Sequence, residues 1–276
     1  GLLGLQEYES RHAQWDQVQR TMRLEGRFYE GDQAMLLPSY WLDLAQQRHA
    51  ALAAGRKPTA MGIDVAAGGR DKSVWVLMDR EGMTEMIGRD TPDTMEIPGL
   101  TIRLMREHGI QPRRVAVDAG GGGKQIADRL AEQGHRVQVI HFGAAAEDKL
   151  QYRNMRCQMY GQLRQRLDPT GQAPLALLPD NELRWELSML PLKYDSEGRL
   201  SMLPKRGDGT GDTIEGLLGR SPDRSDALAL AVHADLQSKP IGKPLPIEAY
   251  ASLDLEKYKQ YAERAAISTA TEGLAW

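Results

Sequence analysis

Disulfide chemistry is the first thing the chain excludes: its 276 residues hold one cysteine, Cys157, so no intramolecular bridge can form and a reducing compartment suits it. Long apolar runs are missing too. None approaches the roughly 18–20 residues that cross a bilayer, and the opening GLLGLQEYES lacks the charged-then-apolar pattern of a signal peptide. No membrane is therefore expected among the partners. There is no surplus of basic charge either: 35 Lys and Arg against 38 Asp and Glu leave a net charge of −3, so any nucleic-acid-binding surface must be local. The six histidines show no H-E-x-x-H spacing, which argues against a zinc centre. The five tryptophans are scattered rather than arranged as a stacking series for single-stranded DNA. A complete G-x-x-x-x-G-K-[ST] loop is also absent. The nearest stretch, DAGGGGKQ, has Asp118 where the first glycine belongs and Gln125 where Ser or Thr belongs, so ATP hydrolysis is not expected of this chain.

What remains is a composition of 41% hydrophobic and 26% charged residues, suited to a sizeable globular domain with attached helices. The chain starts abruptly, without methionine, as a fragment of something longer would. Residues 1–58 are expected to form a helical linker or arm, with helices near 5–24 and 40–54. Residues 59–238 form the main domain, and 239–276 a proline-marked linker and tail.

The main domain is organised around MGIDVAAGGRDKSVW. Small and β-branched residues flank Asp64 on both sides, the pattern of a central strand covered on both faces. A glycine turn follows and a second strand begins near Ser73. Three strands, a helix, a strand ending in Asp118, a helix and a further strand come next. An order that starts as hairpins and switches to βαβ implies a mixed sheet flanked by helices. Residues 147–167 are expected to form one long helix. On it Lys149, Arg153, Arg156 and Arg164 fall at helical spacing with no acid between Lys149 and Arg166, a candidate phosphate-contacting edge. A β-hairpin around Asp195–Gly198 is expected next, then Lys205 and Arg206 in a loop. Finally Ser221-Pro222-Asp223 carries the signals of a helix start.

Asp118 follows an apolar strand, and Asp223 and Asp226 lie three apart on one helix, facing the same way. First-turn capping accounts for Asp223 alone. Asp226 opens an almost wholly apolar helix and needs a partner. Three or four carboxylates brought together suit Mg²⁺ or Mn²⁺, which take oxygen ligands. A pair of such ions can stabilise both the attacking and the leaving oxygen of an in-line phosphoryl displacement.

GIDVAAGGRDKS, VAVDAGGGGKQIADRL and GRSPDRSDALALA together resemble the three acidic motifs of the nuclease domain of tailed-bacteriophage terminase large subunits. That domain has the ribonuclease H-like fold. HFG, YRNMRCQMY, LPDNELRWEL and the upstream EGRFYEGDQAMLLPSYWLDLA agree in style, and the resemblance spans about residues 25–234. It implies an α/β, ribonuclease H-like mixed sheet with a β-hairpin insertion. It also implies a two-metal endonuclease that cuts double-stranded DNA with little sequence specificity during genome packaging, in the cytoplasm of the infected bacterial host. By position, Asp64, Asp118 and Asp223 would be the metal ligands. Asp226 is similar to an extra helix acid of resolvases and would share the two ions, and Asp71 is an outer-shell candidate. Lys124, Lys149, Arg153, Arg156, Arg164, Lys205 and Arg206 are the candidate DNA contacts. The implied partners are DNA, the ATPase domain of the same full-length chain, the small terminase subunit and the portal. The alternatives are a Holliday-junction resolvase- or transposase-like nuclease of the same fold, and a DNA-binding module that has lost its metal.

Overall fold

A computed structural model describes residues 35–66, 72–91, 93–207 and 212–237. The expected helix near 5–24, the tail at 239–276 and Asp71 lie outside these residues.

Helix α1 (Ser39–Ala51) leads into strand β1 (Ala60–Asp64), then β2 (Ser73–Met78) and β3 (Met83–Arg89). Helix α2 (Glu96–His108), β4 (Val115–Asp118), α3 (Gly123–Glu132) and β5 (Gln138–Ile140) follow. The second half holds α4 (Met155–Leu167), α5 (Asn181–Ser188), the short pair β6 (Lys193–Tyr194) and β7 (Leu200–Ser201), α6 (Ile214–Leu218) and α7 (Asp223–Leu236).

The five main strands lie in the order β3-β2-β1-β4-β5. β1 pairs antiparallel with β2 and parallel with β4, and β4 pairs parallel with β5. This is the mixed sheet that the element order implied, with β6 and β7 as the separate hairpin. Every residue of β1, β2 and β4 is buried, as strands covered on both faces require. On one face Met61, Ile63, Trp75, Leu77 and Val117 pack with α2 and α3 residues such as Leu104 and Leu130. On the other, Ala60, Val74, Val76 and Ala116 pack with α7.

The seating of α7 depends on Gly62. A β-carbon there would land on the Ala227 carbonyl and the Ala231 backbone nitrogen, so only glycine lets α7 lie directly across β1. Leu36, Leu37, Leu42 and Ala45 also join this core, and Leu36 N–H bonds the Leu190 carbonyl at 2.8 Å. The packed core thus extends upstream of residue 59.

The expected long helix over 147–167 is corrected by the structure: α4 begins only at Met155. Its Asn154 side chain accepts the Cys157 N–H at 2.9 Å, while Asp148 accepts from Leu150 and Gln151 at 3.0 and 3.1 Å. These short polar side chains offer the backbone a local alternative to helix. The segment before Asn154 is accordingly a run of turns.

Candidate metal and nuclease site

Parallel pairing of β1 with β4 sets Ile63 beside Val117, so the two strands end in Asp64 and Asp118 side by side at one carboxyl edge. α7, lying on Gly62, brings its first turn with Asp223 and Asp226 to the same edge. All four acids are buried: Asp64 is 5% exposed, Asp118 9%, Asp223 7% and Asp226 0%. Their charges act on one another. Burial raises the Asp64 carboxyl well above the usual carboxylate range, Lys205 opposes the shift, and Asp226, Asp223 and Asp118 reinforce it. Asp118 is raised in the same way, chiefly by burial, against the Gly120 N–H that its carboxylate accepts at 3.2 Å.

Asp226, the fourth expected metal ligand, is the most enclosed of the four and is held by protein donors. One oxygen accepts from the Arg156 Nη2 at 2.9 Å and the Tyr160 hydroxyl at 2.7 Å, and the other from Lys205 Nζ at 3.1 Å. Burial alone would raise its pKa, but Arg156 and Lys205 outweigh burial and hold it below the ordinary carboxylate value. In this arrangement both oxygens are committed to protein donors, and Asp226 anchors two cations beside the other acids. Among the described residues no three Asp, Glu, His or Cys side chains close around a single point as a ready metal cage.

The donor chemistry still fits a hard divalent cation at Asp64, Asp118 and Asp223. These are oxygen ligands only. Asp64 is a buried carboxyl whose ionised form is disfavoured by three neighbouring acids, so an added cation would favour ionisation. Lys205 lies close enough for its ammonium to offset part of that charge. Burial lowers its pKa, yet Asp226 and Asp64 raise it further, so it stays protonated.

A further buried acid stands beside the first turn of α7. Glu186, on α5, is 0% exposed and accepts the Ser225 N–H at 2.8 Å. Its other oxygen is 2.9 Å from Arg220, and Arg220 lies 5.9 Å from the Trp185 ring centroid. Burial, opposed by the Ser225 N–H and Arg220, raises Glu186 to about 7. The helix starts where Ser221-Pro222-Asp223 signalled, but Ser221 does not cap it. Pro222 occupies the cap position without a side-chain bond, and Glu186 supplies the acceptor from another element.

Of the candidate DNA contacts, two turn toward the protein. Arg156 is 6% exposed and committed to Asp226. Arg164 donates to the Leu36 carbonyl, and its guanidinium carbon lies 4.9 Å from the Trp41 ring centroid. α4 therefore packs its basic row inward against α1 and α7 rather than showing it to solvent. Lys124 is exposed and pairs with Asp128 at 2.7 Å, and Arg206 is exposed and bonds Glu215 at 2.7 Å. Lys149 and Arg153 are exposed, before α4 begins. Sequence reasoning missed Tyr160, Glu186 and Arg220. The four-residue spacing of Arg156 and Tyr160 on one helix face was the one available signal for the first.

A buried carboxyl edge at the ends of β1 and β4, completed by an acid from the helix crossing them, defines the class: a ribonuclease H-like α/β domain. Solved structures narrow the likeness to one kind of domain. The chain is similar to the nuclease domain of the large terminase subunit gp2 of bacterial virus Sf6, at 18% identity and a TM-score of 0.59, over 75% of this chain and 100% of that one. It is similar also to a mutant of that domain with manganese (18% identity, TM-score 0.57) and a mutant with calcium (19%, TM-score 0.56), each over 72% of this chain and 99% of the other. Neither a family sequence model nor a curated protein sequence matches this chain. Among the described residues no helix is long and apolar enough to cross a membrane.

Proposed function

We propose that the chain is a metal-dependent endonuclease that hydrolyses double-stranded DNA with little sequence preference, in the packaging of a tailed-phage genome. The observation that carries this reading is the burial of Asp64, Asp118 and Asp223 at one sheet edge, from three separate elements, with Lys205 among them. Acids that only stabilised a fold would not be gathered where each raises the others' cost of ionisation. The shared fold with terminase nuclease domains supports the packaging setting, and the ATPase domain, small subunit and portal are the partners this setting brings. The host cytoplasm is where such a reaction takes place.

In this reading Asp64, Asp118 and Asp223 hold Mg²⁺ or Mn²⁺, two ions when the site is full. Bound there, the ions supply Lewis acidity to the attacking and departing oxygens of an in-line displacement. Asp226 holds Lys205 by an ion pair, and Lys205 presents its ammonium to the phosphate. Arg156 and Tyr160 keep Asp226 ionised and fixed. Gly120 to Gly122 let the backbone pass close to the DNA, and the backbone N–H of Gly120 orients Asp118.

The test is nicking of supercoiled plasmid with Mg²⁺ or Mn²⁺. Asp64→Asn and Asp118→Asn should each lose activity by at least about a hundredfold while keeping the wild-type circular dichroism. Cleavage retained in both variants would overturn the assignment, and a strong preference for four-way junctions over duplex would favour the resolvase reading.

A further inference from the structure

A cleft of about 780 Å³ opens beside Asp118, and most of its lining has no part in the proposed hydrolysis. Its lining includes Asp118, Lys205 and Arg153 together with the apolar side chains of Phe142, Met202 and Leu203. The volume falls within the range of small-molecule sites. The lining thus combines apolar and charged side chains. Phe142 is half-buried, with the Arg156 guanidinium carbon 5.7 Å from its ring centroid. Through the bond from Arg156 to Asp226, the aromatic ring is tied to the acid cluster. Arg153 is exposed and makes no ion pair among the described residues. The start of α4 at Asn154 also borders the cleft, adding a field that favours an anion.

A phosphodiester set at Asp118 and Lys205 has its neighbouring nucleotide within reach of this space. The apolar side chains suit a base face, and the two cations suit its phosphates. We propose that the cleft receives one unstacked nucleotide of the strand being cut, its base against Phe142, Met202 and Leu203 and its phosphates toward Lys205 and Arg153. The proposal rests on the endonuclease reading and adds a requirement to it: the duplex opens locally next to the cut. Extruding a base from a perfect duplex costs unpairing and unstacking, and a mismatched base costs least.

The experiment measures binding of the chain to fluorescein-labelled DNA by anisotropy in Ca²⁺, with gels to show that the DNA stays intact. One duplex is perfectly paired; another of the same length carries a central mismatched bubble. Wild type should bind the bubble about tenfold more tightly, within the range that stacking one base on an aromatic ring supplies. Phe142→Ala, and Met202→Trp, which fills the space, should bring the two DNAs to within about twofold of each other. Arg153→Ala, at an exposed position where folding is not at risk, should weaken bubble binding by several-fold. Equal wild-type affinity for the two DNAs would overturn the proposal, as would a preference that survives in all three variants. Failure of the nuclease reading shows separately, as metal-dependent nicking that does not depend on Asp64 and Asp118.

Discussion

At the scale of single residues, Asp226 shows how a fully buried acid is kept ionised by its neighbours. Its ionised form is favoured by Arg156 and Lys205 and by the Tyr160 hydroxyl. Removing Arg156 leaves that buried charge to Lys205 and Tyr160 alone. Arg156→Ala should therefore cost about 3–5 kcal/mol of stability, read as a shift of the urea midpoint at pH 7. The sign with pH follows from the direction of the shift. With its folded pKa lowered, wild-type Asp226 contributes stability above the ordinary carboxylate value and loses it as pH falls. In the variant the same carboxyl, now raised by burial, takes up a proton at higher pH and relieves the penalty. The gap between wild type and Arg156→Ala should narrow between pH 7 and pH 4. A gap that stays constant would mean that Arg156 acts through packing alone.

At the scale of elements, the site depends on where α7 lies and on how its first turn is held. Gly62→Ala adds one carbon where the Ala227 and Ala231 backbones already stand. Relief requires moving the helix, so a loss of roughly 2–4 kcal/mol is expected, and nicking should fall more than the folded fraction does because Asp223 moves with α7. Chromatographically folded variant with wild-type turnover would count against this. Glu186 holds the same turn from α5. Its pKa, raised to about 7, means that the folded state binds more protons than the unfolded state between about pH 4.5 and pH 7, so this group lowers stability as pH rises through that window. Glu186→Gln keeps an acceptor for the Ser225 N–H but cannot ionise. Relative to wild type, its stability should improve from pH 5 to pH 8 by an amount on the order of 1–3 kcal/mol, measured by urea unfolding at both values. The strands and their terminal acids were legible because an apolar run ending in Asp is a local pattern. What was not legible was which way a basic helix faces. Arg156, on a row free of acids, read as a phosphate contact, and its partner lies 70 residues away on α7.

For the whole molecule, the sheet brings together at one edge what the chain keeps far apart, and the resulting cluster should govern how stability responds to divalent ions. Without a cation, Asp64 is held well above its usual range by burial and by three acids. A raised carboxyl binds its proton in the folded state after the unfolded chain has lost it, so ionisation costs stability as pH rises through the folded pKa. A cation bound by the ionised cluster reverses that cost, because it binds the folded state and not the unfolded one. Saturating Mn²⁺ at about 100 times its Kd corresponds to roughly 2.7 kcal/mol, or roughly 5–10 °C in Tm for a chain of this size. The rise should be largest near pH 8 and should shrink toward pH 5, where protons compete for Asp64 and Asp118. Asp64→Asn separates the two effects: without metal at pH 8 it should melt above wild type, and with metal it should gain little. A Tm rise of equal size in wild type and Asp64→Asn would place the ion elsewhere. A metal-free Asp64→Asn that melts below wild type would show that the aspartate is already compensated by Lys205 and that the edge carries no deficit of positive charge for a metal to fill.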